Sequence, residues 1–186
     1  MTSGDPTDPL GPPEPEPALR PIEPRDHATV LQLNHEHPDA VSALTEQRLL
    51  WLLDLCDRAD VIDVGGEVAG FVLTFAPGTA YDSVNYRAFA ERYGAAFYYL
   101  DRIVVAEAFR RRGLAGLAYD EIERIAAPYG RLTLEVYTEP HNAASVGFHA
   151  ARGFREVGIL HQGARSAALL CKELKQDLEP KPGGPR

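Results

Sequence analysis

Phe109-Arg-Arg-Arg-Gly-Leu-Ala-Gly116, FRRRGLAG, sets three consecutive arginines directly before small residues. Upstream, residues 96–105 (AFYYLDRIVV) are apolar almost throughout, the pattern of a strand buried on both faces. Downstream, residues 113–127 carry Leu114, Leu117, Ala118, Ile122 and Ile125 on one stripe, the mark of an amphipathic helix. Pro128 and Gly130 end it. The stretch is therefore a strand-to-helix turn. At a helix start several backbone N–H groups lack partners and the helix dipole adds partial positive charge, which together favour phosphate. Gly113, Ala115 and Gly116 are small enough for an anion to approach the backbone, and the arginines add charge at the rim. A Walker loop needs Gly-Lys-Ser/Thr and a dinucleotide fingerprint needs three glycines in a first βα unit; neither is present. A run of arginines can equally be a solvated surface. Placement alone leaves the two readings level.

Outward from this turn, residues 60–64 and 67–76 flank Gly65-Gly66 and read as a tight β-hairpin. Residues 131–137 (RLTLEVY) alternate as a strand. Residues 145–152 read as a short helix closed by Gly153, and 154–160 and 166–174 as the last strands. Towards the N-terminus, residues 19–22 form a short strand, Asp26 caps a helix over 27–34, and Val30 and Leu31 face inward. Ser42 caps a second helix over 43–56, so rich in leucine that it belongs in the core or under a partner. Residues 77–93 read as a loop with one short helix, a candidate lid. The order β-α-α-β-β-β-α-β-α-β-β describes a mixed α/β sheet. Residues 1–19 and 177–186, rich in Pro and charge, are expected to be disordered tails around a single domain at 20–176.

The 186 residues carry a net charge of −8, which argues against a nucleic-acid partner and is mildly favourable to cationic substrates. Two isolated cysteines, Cys56 and Cys171, show no metal spacing and read as reduced thiols. His35-x-His37 lacks further ligands, so no metal is expected. No apolar run reaches the roughly 18 residues of a membrane span, and the first residues do not resemble a signal peptide. A cytoplasmic protein is expected.

The spacing Arg110-x-x-Gly113-x-Ala115 resembles the Arg/Gln-x-x-Gly-x-Gly/Ala motif of the GCN5-related N-acetyltransferases (GNAT). Ile103-Val-Val105 resembles the strand that this family splays. Farther on, Asn142-Ala-Ala-Ser-Val-Gly-Phe148-His149-Ala-Ala-Arg-Gly153-Phe154 is similar to the family's Asn-x-x-Ala-x-x-Phe-Tyr-x-x-x-Gly-Phe segment. Both motifs stand in the family's order, each after a strand. The resemblance implies the acyl-CoA N-acyltransferase fold: a mixed, mostly antiparallel central sheet with splayed middle strands, flanked by about four helices. It implies acetyl-CoA as co-substrate and transfer of its acetyl group to a primary amine.

The same resemblance assigns roles. Backbone amides of Arg111, Arg112, Gly113, Leu114, Ala115 and Gly116 would seat the pyrophosphate, with Arg110 at the motif's first position. Main-chain groups of Ile103, Val104 and Val105 would hold the pantetheine arm and polarise the thioester carbonyl. Asn142 and Phe148, in the second motif, would contact the cofactor; Asn142 can also serve as a helix cap. His149 replaces the family's tyrosine, so it is the candidate acid, or else a spacer beside the thiol. Glu135 resembles the glutamate that some members use as a base, with Tyr137, Glu139 and His141 as neighbours able to approach the cleft. Asn34, Tyr81, Tyr99 and Asp101 are the expected acceptor contacts, with either Asp101 or Arg102 turned towards the acceptor. The acceptor itself is expected to be a small-molecule amine. A protein N-terminus or lysine, or a CoA-binding sensor without turnover, are the alternatives. A homodimer through the apolar second helix is a further expectation.

Overall fold

The computed structural model describes residues 15–139, 143–163 and 165–175. Within them seven strands form one sheet: β1 (Pro17–Pro21), β2 (Arg58–Val64), β3 (Glu67–Phe75), β4 (Tyr98–Val105), β5 (Arg131–Tyr137), β6 (Arg155–Gln162) and β7 (Arg165–Glu173). Their order across the sheet is β1-β2-β3-β4-β5-β7-β6. Every neighbouring pair is antiparallel except β4 and β5. Among the described residues five α-helices connect them: α1 (His27–His35), α2 (Glu46–Leu55), α3 (Val84–Tyr93), α4 (Leu114–Ala126) and α5 (Ala143–Ala151).

Strand alternation divides the core. Phe71, Leu73, Phe75 and Tyr99 pack with buried residues of α1, α2 and α3. Val72, Tyr98, Leu100, Leu132 and Leu134 pack on the other face with Tyr119 and Ile122 of α4. Gly65 and Gly66 turn the β2–β3 hairpin at φ 64° and 91°, the left-handed region that a two-residue hairpin demands.

Two features of β4 shape the site. The parallel pairing with β5 consists of Tyr98 with Leu132 and Tyr99 with Thr133. Beyond Tyr99 the strands part, and among the described residues no strand pairs with that edge of β4. On its other side, β4 pairs with β3 through a bulge: Thr74 faces Leu100 and Leu73 faces Arg102, so Asp101 is the extra residue. The bulge sets Asp101 and Arg102 on the same face, where Tyr81 binds the former and Asn34 and Ser42 bind the latter. Strict alternation would have sent them to opposite faces.

Four local expectations are corrected. The first strand begins at Pro17, inside the expected tail, because β2 pairs with it from Val64 onwards. Asp26 does not cap α1: its backbone is already helical (φ −87°, ψ −17°). Its carboxylate accepts from the Glu23 N–H at 2.9 Å and pairs with Arg20 at 2.6 Å. The cap of α2 is Thr45, whose hydroxyl accepts from the Arg48 N–H at 3.1 Å, while Ser42 is drawn to Arg102. Residues 77–93 hold the expected short helix, α3, but it packs into the core instead of standing free as a lid. Ser83 caps α3 at 3.3 Å, and Tyr81, Tyr86 and Phe89 are buried in the core. Tyr86, Phe89 and Tyr93 recur at helical spacing, but the polar residues among them hide the stripe.

Candidate active site

The wedge between β4 and β5 opens into a cleft of about 100 Å³. Leu100, Asp101, Arg102 and Ile103 line it from β4, Leu134 to Tyr137 from β5, Tyr119 from α4, and Ser145 and His149 from α5. The loop after α1 closes it with Asp39, Ala40 and Val41.

Two carboxylates stand here. Asp101 receives the Tyr81 hydroxyl at 2.5 Å and the Arg102 Nε at 2.7 Å. Arg102 is then held by Asn34 Oδ1 at 2.8 Å and by the Ser42 hydroxyl at 3.1 Å. Glu135, one strand away, accepts the Tyr99 hydroxyl at 2.6 Å. Burial pushes its carboxyl up to about 7, and the nearby Asp101 charge adds to the rise. The hydrogen bonds from Tyr99 and Asn85 and the charge of Arg102 oppose it. Such a carboxyl is divided between acid and base near neutral pH, the condition for taking a proton from an amine.

Asn34, Tyr81 and Tyr99 are thus placed differently from the acceptor contacts expected of them. Each is buried, and none lines the cleft. Their polar atoms are spent on Arg102, Asp101 and Glu135. They hold the two carboxylates and the guanidinium in place.

His149 is also placed differently from a simple acid. Its Nδ1 lies 2.8 Å from the Ser145 carbonyl oxygen, which can only accept, so Nδ1 carries the proton. Nε2 of the neutral ring then accepts the Tyr119 hydroxyl at 2.6 Å. Burial pushes the imidazole pKa down. Both ring nitrogens are engaged, and neither offers a spare proton to the cleft. Phe148 stands behind this pair, edge-on to Tyr119 at 5.1 Å, rather than at the cleft wall. Tyr119 was not anticipated. Its signal was a phenol within the buried stripe of α4, where a hydroxyl requires a partner.

At the turn before α4, Gly113 is the left-handed N-cap with φ 82°. Leu117 N–H bonds the Gly113 carbonyl at 3.0 Å, so the amides of Leu114, Ala115 and Gly116 precede the first helical bond. A Cβ built on Gly113 or Gly116 meets nothing within 4 Å. This open, amide-lined end fits a pyrophosphate. Arg111 has φ 62°, and Arg112 covers the Phe109 ring at 5.3 Å. Arg110 turns back instead, reaching the Val105 carbonyl at 3.4 Å and His37 Nε2 at 3.1 Å. Behind the cleft, Gly70 lets β3 press on β4: a Cβ there would collide with the Val104 carbonyl oxygen and lie 3.2 Å from Val105 Cα. Asn142 and His141 lie outside the described residues. Among the described residues no acidic, His or Cys cluster could hold a metal ion, and no helix is long and apolar enough to cross a membrane.

Residues 22–154 match the family model described as Acetyltransferase (GNAT) family. No curated protein gives a significant match. Among solved structures, Ard1 from Thermoplasma volcanium superposes with a TM-score of 0.67 at 19% identity, covering 85% of this chain and 97% of that one. The ribosomal-protein-S18-alanine N-acetyltransferase from Escherichia coli gives 0.62 at 17% identity, covering 88% and 97%. An acetyltransferase of the GNAT family from Streptococcus pneumoniae gives 0.61 at 24% identity, covering 86% and 99%. At these identities the likeness speaks for the fold.

Proposed function

Since the chain belongs to the GNAT family of acetyltransferases, we propose that it transfers the acetyl group of acetyl-CoA to the primary amine of a small molecule. The observation that carries this reading is Glu135 inside the β4–β5 wedge, next to Asp101, with its carboxyl raised to about 7. An incoming ammonium is attracted by the two carboxylates and loses a proton to Glu135, directly or through one water. The free amine then attacks the thioester carbonyl, which the open edge of Ile103, Val104 and Val105 would hold. Main-chain N–H groups on that edge stabilise the oxyanion. The amides of residues 111–116 hold the pyrophosphate and so fix the thioester in register. The cleft's volume of about 100 Å³ suits an amine head with a few carbons.

The test pairs binding with turnover. Calorimetry should show acetyl-CoA binding to the wild type, binding by Gly113→Ala, and at least about 100-fold weaker binding by Gly113→Glu. Both variants carry the same backbone strain at φ 82°, so only the added carboxylate separates them. No binding by the wild type would sink the reading. A panel of small amines and of peptides with free N-termini, read by thiol release, then identifies the acceptor. Turnover confined to the peptides would replace the small-molecule acceptor by a protein N-terminus; the E. coli structure is named for an alanine of ribosomal protein S18.

A further inference from the structure

We propose that Tyr119 and His149 form a proton shuttle that carries a proton from the acylated nitrogen to the departing sulfur. This rests on the acetyltransferase reading above and names residues for a step that Glu135 does not serve. Both residues line the cleft, and they lie 2.6 Å apart, hydroxyl to Nε2. The bond is almost fully enclosed, with Tyr119 1% and His149 7% exposed. Ser145 C=O holds Nδ1–H at 2.8 Å, which fixes the tautomer and points the Nε2 lone pair at the phenol. Tyr119 is clamped edge-on by Phe148 and Phe154, and the Arg152 guanidinium lies 5.2 Å from its ring centre.

This arrangement decides what the pair can do. A neutral imidazole with Nε2 occupied cannot itself protonate a thiolate. The phenol can, provided the proton it gives is replaced. The balance runs in two moves. When the amine nitrogen has bonded to the carbonyl carbon it is cationic; it gives an N–H proton to the Tyr119 oxygen while the Tyr119 proton passes to Nε2. The C–S bond then breaks, its electron pair leaving on sulfur. Sulfur takes a proton from Tyr119 as Nε2 returns its own. The amide and free thiol are formed, and the pair regains its starting state. No proton from solvent and no further reactant is required. Glu135 makes the ammonium nucleophilic, and the shuttle handles the second proton. Enclosure serves this role because it keeps water from diverting the transferred proton.

The test uses Tyr119→Phe, His149→Gln and the double variant. Each single change should lower kcat for the best amine of the panel by about 100-fold, the usual size of an acid–base contribution. The double variant should be no worse than either, since the residues act as one unit. Acetyl-CoA affinity by calorimetry should stay within about twofold. A second readout avoids turnover: with 15N-labelled histidine, the His149 Nε2 resonance should follow titration of the bound CoA thiol, and lose that response in Tyr119→Phe. Losses that multiply in the double variant, single variants within about threefold of wild type, or an indifferent resonance each overturn the shuttle. With wild-type binding of acetyl-CoA intact, those results leave the acetyltransferase reading standing. Absent binding overturns both. If Tyr119→Phe fails to fold, His149→Gln and the wild-type resonance still decide the matter.

Discussion

The Glu135 carboxyl ties chemistry to stability through one number. Its pKa is raised from an ordinary 4.5 to about 7, first by burial and then by the Asp101 charge. The folded state therefore binds this proton more tightly than the unfolded chain does. The stability linked to it is fully present below pH 4.5 and is lost as pH rises through about 7. Glu135→Gln removes that loss. Its unfolding free energy from urea melts should exceed the wild type's at pH 8 by roughly 3 kcal/mol, and most of that difference should be gone by pH 5. Activity should move the other way. Acetyl transfer by the wild type should rise with pH through about 7 as the base ionises, and the variant should lose that limb together with roughly 100-fold in rate. A variant whose pH–rate profile keeps the limb would show that another group takes the proton.

Strand β4 does more than pair. Its contact with β5 ends after Tyr99, its bulge at Asp101 gathers two charged residues on one face, and its far end rests on Gly70. A side chain at Gly70 has nowhere to go, since the Val104 and Val105 backbone fills the space. Gly70→Ala should destabilise the protein by about 2 kcal/mol, the scale of forced overpacking. It should also weaken acetyl-CoA binding in calorimetry, because Val104 lies on the edge assigned to the thioester. Loss of stability with unchanged affinity would mean that β3 yields rather than β4. Helix α3 teaches a related lesson. Its stripe of Tyr86, Phe89 and Tyr93 is short and interrupted, yet with Tyr81 and Phe75 it forms an aromatic layer beneath the carboxylates.

Across the molecule, one polar network joins α1, the loop after it, β4 and the segment before α3. Asn34 and Ser42 hold Arg102, Arg102 holds Asp101, and Tyr81 closes the far side. The Arg102 and Asp101 side chains are only 4% and 5% exposed, so the pair is largely shielded even though it borders the cleft. Removing one member strands the other. Arg102→Gln should cost about 3 kcal/mol in urea unfolding, as breaking buried pairs does. It should also raise KM for the amine more than it lowers kcat, because the loop carrying Asp39 to Val41 loses its anchor at the cleft mouth. A cost below about 1 kcal/mol would mean that water replaces the guanidinium.

Much of this was legible in the chain, for a physical reason. The β2–β3 hairpin, β4, α4 and β5 follow from side-chain period and turn residues, which are local properties. The turn before α4 is local too: small residues between a strand and a helix start mark it, and the two motifs flanking β5 carry the family. Partnerships were not legible. Ser42 and Thr45 are equally good caps until Arg102 draws one of them away. Tyr81 and Tyr99 look like cleft residues until the fold turns their hydroxyls onto carboxylates. Tyr119 and His149 are separated by 30 residues, and neither announces the other. A hydrogen bond between distant residues depends on two backbones converging to within a few tenths of an ångström. Period and propensity specify each backbone separately; the packing of α4 and α5 against the parted strands sets where they meet.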